Sequence, residues 1–354
     1  MNERLKRILL IGVQRGASDV HIVPTKYPTL RIDGNLSDLS EEGVLSSKDT
    51  ETMLLSLIGD DNTQLQYFKK YKDIDFSFNI ENKARIRANI YYQNNGIAGA
   101  FRIISFSVKT IEELNLPPIL HEFAKKRQGL ILITGPAGVG KSTTLAALVD
   151  EINHTRSAHI VTIEEPIEYI FLPDLSLISQ REIPKDSPNW HRALRSALRQ
   201  DPDVIMIGEL RDATSIQIAL TAAETGHLVL GTLHTNSASQ TIDRILDVLP
   251  EAQKSQAKFQ LASTLIGVIS QRLVPRIKGG RIPACEILLA TTAVKNLIRE
   301  NKVYQIDLVI ETSLDQGMIT LERSLATLVN IGEISLETAI DYSLNIDRLK
   351  NLMG

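Results

Sequence analysis

Apolar positions in the N-terminal third of the chain follow short, changing periods. Over residues 2–14 they recur at helical spacing, with Leu5, Ile8 and Leu9 on one side, which predicts a short amphipathic helix. DVHIVP and TLRIDG follow as a hairpin, with Asp33-Gly34 as a turn signal. Residues 48–58 and 62–70 return to helical spacing. DIDFSFNI then alternates cleanly and places Ile74, Phe76, Phe78 and Ile80 on one face of a strand. ARIRANIYY and AGAFRII continue as strands joined through Asn94-Asn95-Gly96. Strands carrying a few helices and no phosphate loop predict a small α+β domain over residues 1–106.

The stretch 107–118 ends in Pro117-Pro118, which prevents helix and disfavours a central strand, so it is expected to be a linker. Over residues 119–354 the pattern changes. GLILIT, HIVTIE, DVIMIG and HLVLGTL are continuous apolar runs of strand length with helical stretches between them. This alternation predicts an α/β domain whose parallel sheet is covered on both faces. From about residue 252 onward the chain is expected to be mostly helical.

Composition narrows the chemistry. Cys285 is the only cysteine, which excludes an internal disulfide or a thiolate zinc site. The seven histidines show no metal-ligand spacing. With 39 basic and 42 acidic residues the net charge is −3, and aromatics make up 5%, a poor footprint for nucleic acid. No apolar run reaches the roughly 20 residues of a spanning helix. The N-terminal run Ile8 to Val13 is too short for a signal peptide, so a cytoplasmic protein is expected.

One motif dominates. Gly135, Pro136, Ala137, Gly138, Val139, Gly140, Lys141, Ser142 and Thr143 form a Walker A loop between an apolar strand and the helical stretch KSTTLAALVDEI. Glycines let backbone N–H groups curl around phosphate oxygens, and the helix adds its positive N-terminus. Lys141 is expected to reach the β- and γ-phosphates of ATP, and Ser142 to hold Mg2+. Further on, the strand Val204 to Ile207 ends at Gly208-Glu209, where Glu209 is the candidate for orienting or deprotonating the attacking water. Many P-loop enzymes carry Asp where this chain has Gly208. Glu164 and Glu165 also follow a strand; alone they read as a solvated acidic turn or as a site for magnesium-linked waters or a base. His227 and His234 flank another strand facing opposite ways, and only His234 is at its C-terminal end, near a phosphate.

Together GPAGVGKSTT, TIEEPIEY, LRQDPDVIMIGELRD and ETGHLVLGTLHTNSASQTIDRILDVLP resemble the Walker A, Asp-box, Walker B and His-box elements of the type II/IV secretion ATPases. RGASDVHI and AVKNLIREN extend the likeness to the PilT-like pilus retraction ATPases, over nearly the whole chain. The resemblance implies a PAS-like N-terminal domain, a RecA-like P-loop core and a homohexameric ring with nucleotide between subunits. It implies Glu209 as catalytic glutamate, Glu164 as an Asp-box carboxylate and His234 near the γ-phosphate. Arg85 and Arg87 match the family's N-terminal arginines that reach a nucleotide; their spacing alone suits a solvated strand face equally well. A platform protein at the inner membrane, no nucleic acid and a place at the inner face of the cell membrane complete the expectation. Glu165, Ala137, Val139 and Lys295 depart from the family pattern. Three other readings are an assembly or type II secretion ATPase, a nucleic-acid-acting RecA-like protein, and an inactive partner in a retraction complex. Relatives of the first kind usually carry a four-cysteine zinc insert, which one cysteine cannot form.

Overall fold

Alternation and helical spacing take up most of the N-terminal third in the computed structural model, which describes residues 1–32, 34–59, 62–81, 83–105 and 108–353. The chain divides into two units, Met1–Ser107 and Val108–Gly354.

In the first unit α1 (Glu3–Gln14) starts where the Asn2 side chain accepts from the backbone N–H groups of Arg4 and Leu5. It buries Leu5, Ile8 and Leu9. Then come β1 (Asp19–Ile22), β2 (Thr29–Ile32), β3 (Asn35–Asp38), α2 (Ser47–Ile58), α3 (Asn62–Tyr71), β4 (Asp73–Ile80), β5 (Ala84–Gln93) and β6 (Gly96–Ser105). A Ser46–Asp49 capping box begins α2. The six strands pair antiparallel in the order β3-β2-β1-β6-β5-β4. Ala84, Ile86, Ala88 and Ile90 of β5 point into the core shared with α1 and α2. Of the expected hairpin turn, Asp33 lies outside the described residues, and Gly34 has φ +85°.

The second unit runs through α4 (Ile119–Ala124), β7 (Gly129–Thr134), α5 (Lys141–Thr155), β8 (His159–Glu164), β9 (Leu177–Glu182), α6 (Trp190–Ala197), β10 (Val204–Ile207) and α7 (Ala213–Glu224). It continues with β11 (Leu228–Leu233), α8 (Ala238–Asp247), α9 (Glu251–Thr264), β12 (Leu265–Pro275), β13 (Arg281–Leu289) and α10 (Thr292–Arg299). Four helices close it: α11 (Ile306–Thr312), α12 (Leu321–Asn330), α13 (Leu336–Tyr342) and α14 (Ile346–Met353). The seven strands lie in the order β13-β12-β7-β11-β10-β8-β9, with only the β12–β13 pair antiparallel.

Successive residues of β7 explain the apolar runs. Leu130 and Leu132 enter the core beneath α6–α10, while Ile131 and Ile133 enter a separate core with α4 and α5. A strand covered on both faces has no polar positions to alternate. From the expected linker, Ile111 and Leu116 are buried in that second core.

The expectation of a mostly helical chain beyond residue 252 is corrected by β12 and β13, of 11 and 9 residues. The stretch LIGVISQRLVP is buried nearly throughout between β7 and β13, so its period of two is hidden. Val274, Ile282 and Ala284, at the far end of this strand pair, start another core with α12, α13 and α14. No helix among the described residues is long and apolar enough to cross a membrane.

Candidate active site

Parallel pairing brings the strand ends of the sequence motifs to one edge. Leu233 of β11 lies opposite Thr134 of β7, and Ile207 of β10 opposite Ile163 of β8 and Gly231 of β11. The loops that follow therefore open on the same side, where α/β sheets bind ligands.

After Thr134 the chain turns into α5. Gly135 has φ +141°, and a Cβ there would stand 2.4 Å from the Gln271 carbonyl oxygen. Only glycine passes that close in that conformation. Gln271, on neighbouring β12, donates from Nε2 to the Val139 carbonyl at 2.6 Å and accepts from Thr144 Oγ1 at 2.8 Å. The loop is thus held against the sheet, and the N-terminus of α5 opens on the cleft with the polarity that binds phosphate.

Lys141 is buried, and its Nζ donates to the carbonyls of Gly135 and Pro136, each at 2.8 Å. Burial lowers its pKa, opposed by the carboxylates of Glu209 and Glu168. His234 Nδ1 stands 3.5 Å from Lys141 Nζ, and His234 Nε2 stands 3.4 Å from Glu209 Oε1. An ammonium only donates, so Nδ1 is the ring nitrogen that could accept from Lys141, and Nε2 is turned towards the carboxylate. Both contacts are long, and the three groups surround a space rather than close it.

Glu209 leaves the end of β10. Its Oε2 accepts from Arg211 Nε at 2.7 Å, which raises the Arg211 pKa. Arg211 Nη1 donates to Glu165 Oε2 at 2.9 Å, and the same oxygen accepts from Trp190 Nε1 at 2.8 Å. A Cβ at Gly208 would lie 3.3 Å from the Ile163 carbonyl oxygen and 3.5 Å from the Trp190 ring, a tight but not closed position.

Glu164, at the end of β8, is 6% exposed. Its Oε1 accepts from Thr162 Oγ1 at 2.7 Å and Gln180 Nε2 at 3.2 Å, and its Oε2 from the Glu168 N–H at 3.3 Å. Burial pushes this carboxyl up to about 7, against the pull of those hydrogen bonds. A group balanced there can give or take a proton at neutral pH. The adjacent carboxylates therefore have different surroundings: Glu164 faces Thr162 and Gln180, Glu165 faces Trp190 and Arg211.

These groups line a cleft of about 460 Å³ together with Ser142, Tyr169 and Arg281. That volume suits a small-molecule substrate. Among the described residues no group of three or more His, Cys, Asp or Glu side chains is placed to hold a metal ion. His227, at the other end of β11, contacts the Ala222 carbonyl at 2.9 Å. Arg85 and Arg87 lie in the N-terminal unit on β5, on the face opposite its buried Ala84, Ile86 and Ala88. The sequence motifs did not single out Gln271, Gln180, Trp190 or Arg211. Arg211 stands inside the quoted LRQDPDVIMIGELRD stretch, two residues after Glu209, but its second carboxylate partner, Glu165, comes within reach only when β8 and β10 pair.

Residues 2–305 match the family of type II/IV secretion system proteins. The chain belongs to this family. It is 43% identical over 335 residues to the type IV pilus retraction ATPase PilT of Pseudomonas aeruginosa, covering 95% of this chain and 96% of that one. It is 45% identical over 313 residues to a twitching motility protein of Neisseria gonorrhoeae, covering 88% and 83%. A crystal structure of the pilus retraction motor PilT with bound ADP superimposes with a TM-score of 0.88 at 42% identity, over 98% of each chain. Like these secretion ATPases, the chain has a RecA-like core and a smaller N-terminal domain, and it is an ATP-hydrolysing enzyme.

Proposed function

We propose that this chain forms a homohexameric motor that hydrolyses ATP to drive type IV pilus retraction. It works at the inner face of the cell membrane against a platform protein. The observation that supports this reading most is the convergence of Lys141, His234 and Glu209 at 3.5 and 3.4 Å beside a Walker A loop, in a chain resembling PilT from end to end.

The residues divide the chemistry as follows. Backbone N–H groups of residues 135–143 and the N-terminus of α5 take the phosphates, and Lys141 exchanges its carbonyl partners for β- and γ-oxygens. The Ser142 hydroxyl, beside Lys141 in the cleft, would hold Mg2+ together with phosphate oxygens and water. Such an ion neutralises charge on the phosphoryl oxygens. Glu209 orients the attacking water, and His234 stands near the γ-phosphate. Glu164, with a carboxyl about half protonated at pH 7, exchanges protons with water at the cleft wall. Arg85 and Arg87 of a neighbouring subunit add positive charge to the transition state.

Deleting the gene in its host and counting surface pili tests this reading. Accumulated pili with lost twitching or DNA uptake support retraction; absent pili assign the chain to assembly instead.

A further inference from the structure

We propose that Arg211 is a positioning residue for Glu209, and that Glu165 and Trp190 affect hydrolysis only through Arg211. This rests on the reading of Glu209 as the group that orients the attacking water.

Glu209 sits just past the end of β10 and its side chain is 25% exposed, so packing alone does not fix its rotamer. Among the described residues, the short bond on its carboxylate comes from Arg211 Nε, at 2.7 Å to Oε2. With Oε2 engaged, Oε1 turns to His234 at 3.4 Å, the side of the cleft where Lys141 lies. Arg211 itself is half exposed, and an exposed arginine cannot hold a carboxylate still unless something holds the arginine. Its second anchor is Glu165 at 2.9 Å. Glu165 is in turn held by Trp190 Nε1 at 2.8 Å, and the Trp190 ring lies 5.9 Å from the guanidinium carbon. The loop after β8, the first residue of α6 and the loop after β10 therefore meet on a single planar fork. One edge of the fork serves Glu209 and another serves Glu165, a division that a lysine ammonium cannot reproduce. Glu165 Oε2 already accepts two hydrogen bonds, both from this brace. The ion pairs are too exposed to add much stability, so their effect belongs to geometry at the reacting centre.

The test uses the full chain with Mg-ATP, comparing Arg211→Ala, Arg211→Lys, Glu165→Gln, the Arg211→Ala/Glu165→Gln double variant and Glu209→Gln. Arg211→Ala is expected to lower kcat on the order of 10- to 100-fold while KM stays within about twofold. Arg211→Lys should recover little of that loss, and Glu165→Gln should lower kcat less than Arg211→Ala. The double variant should be no slower than Arg211→Ala alone, since a residue acting through another has no effect once that other is gone. Trp190 is the chain's only tryptophan, so its emission should shift in Glu165→Gln and Arg211→Ala while the melting temperature holds. A further loss of kcat in the double variant would overturn the proposal by placing Glu165 directly on the nucleotide or its metal. Parental kcat in Arg211→Ala would overturn it by reducing the brace to a surface ion pair. Glu209→Gln separates the premise: if it turns over ATP at the parental rate, the reading of Glu209 fails and the proposal with it. If it is inactive while Arg211→Ala is unimpaired, the brace alone fails.

Discussion

Lys141 and Glu164 stand in the same cleft, and burial drives both toward their neutral forms, lowering one pKa and raising the other. For Lys141 the remedy is the nucleotide itself, whose phosphates supply the missing negative charge. Lys141→Ala should therefore weaken ATP binding on the order of 10- to 100-fold, as expected for losing a charged hydrogen bond, read by titration with a fluorescent nucleotide. Glu164 makes a claim about pH. Its folded value of about 7 lies above the ordinary 4.5, so the native state holds an extra proton between those values. Stability from this group is complete below about 4.5 and is lost as pH rises through about 7. Glu164→Gln should remove that fall, on the order of 3 kcal/mol, from urea-unfolding curves measured across this window. A parallel pH dependence in the variant and the parent would refute the assignment.

Elements differ in how much of themselves they write into their own residues. β7, β8, β10 and β11 are legible as continuous apolar runs because both faces are covered, and the Walker A loop is legible because its glycines serve local backbone needs. β9 escapes notice: LISQRE is a polar edge strand, and its Gln180 bonds Glu164 and the backbone of Tyr169 and Phe171, all distant in sequence. β12 escapes because its burial removes the period that marks a strand. Arg211 and Gln271 escape because each acts on groups that pairing and folding bring to it. On α10 the reverse holds. Val294 and Ile298, four apart, form a fully buried apolar stripe legible from helical spacing, while Arg299 on another face is exposed and, among the described residues, bonds Asn296 at 3.2 Å. Since the helix is anchored by that stripe, Lys295→Ala/Arg299→Ala should cost less than about half a kcal/mol per site. We expect this variant to keep most ATP turnover in vitro yet fail to restore retraction in a deletion strain. Normal retraction, or turnover lost in step with it, would remove any special role for this basic face.

At the scale of the whole molecule, the arginines of β5 and the cleft belong to different units of the chain. If Arg85 and Arg87 serve a neighbouring subunit's nucleotide, two inactive proteins should complement each other. Mixing Arg85→Ala/Arg87→Ala subunits with Lys141→Ala subunits should restore part of the turnover, given that an added arginine accelerates phosphoryl transfer on the order of a thousandfold. No recovery in mixed hexamers confirmed by mass would mean that the arginines do not act across subunits. Within the larger unit, β12 joins two regions that the motifs treat as unrelated. Its Gln271 grips the Walker A loop, and Val274, a few positions along, is packed in the core of the C-terminal helices. The strand pairs with β7 as far as Ser270 and with β13 from Gly267 to Pro275, so β13 alone accompanies it from Gln271 to Val274. It is therefore a stiff connecting rod. Were the last helices to shift, the displacement would reach the phosphate loop through three residue steps of extended backbone that β13 keeps in register.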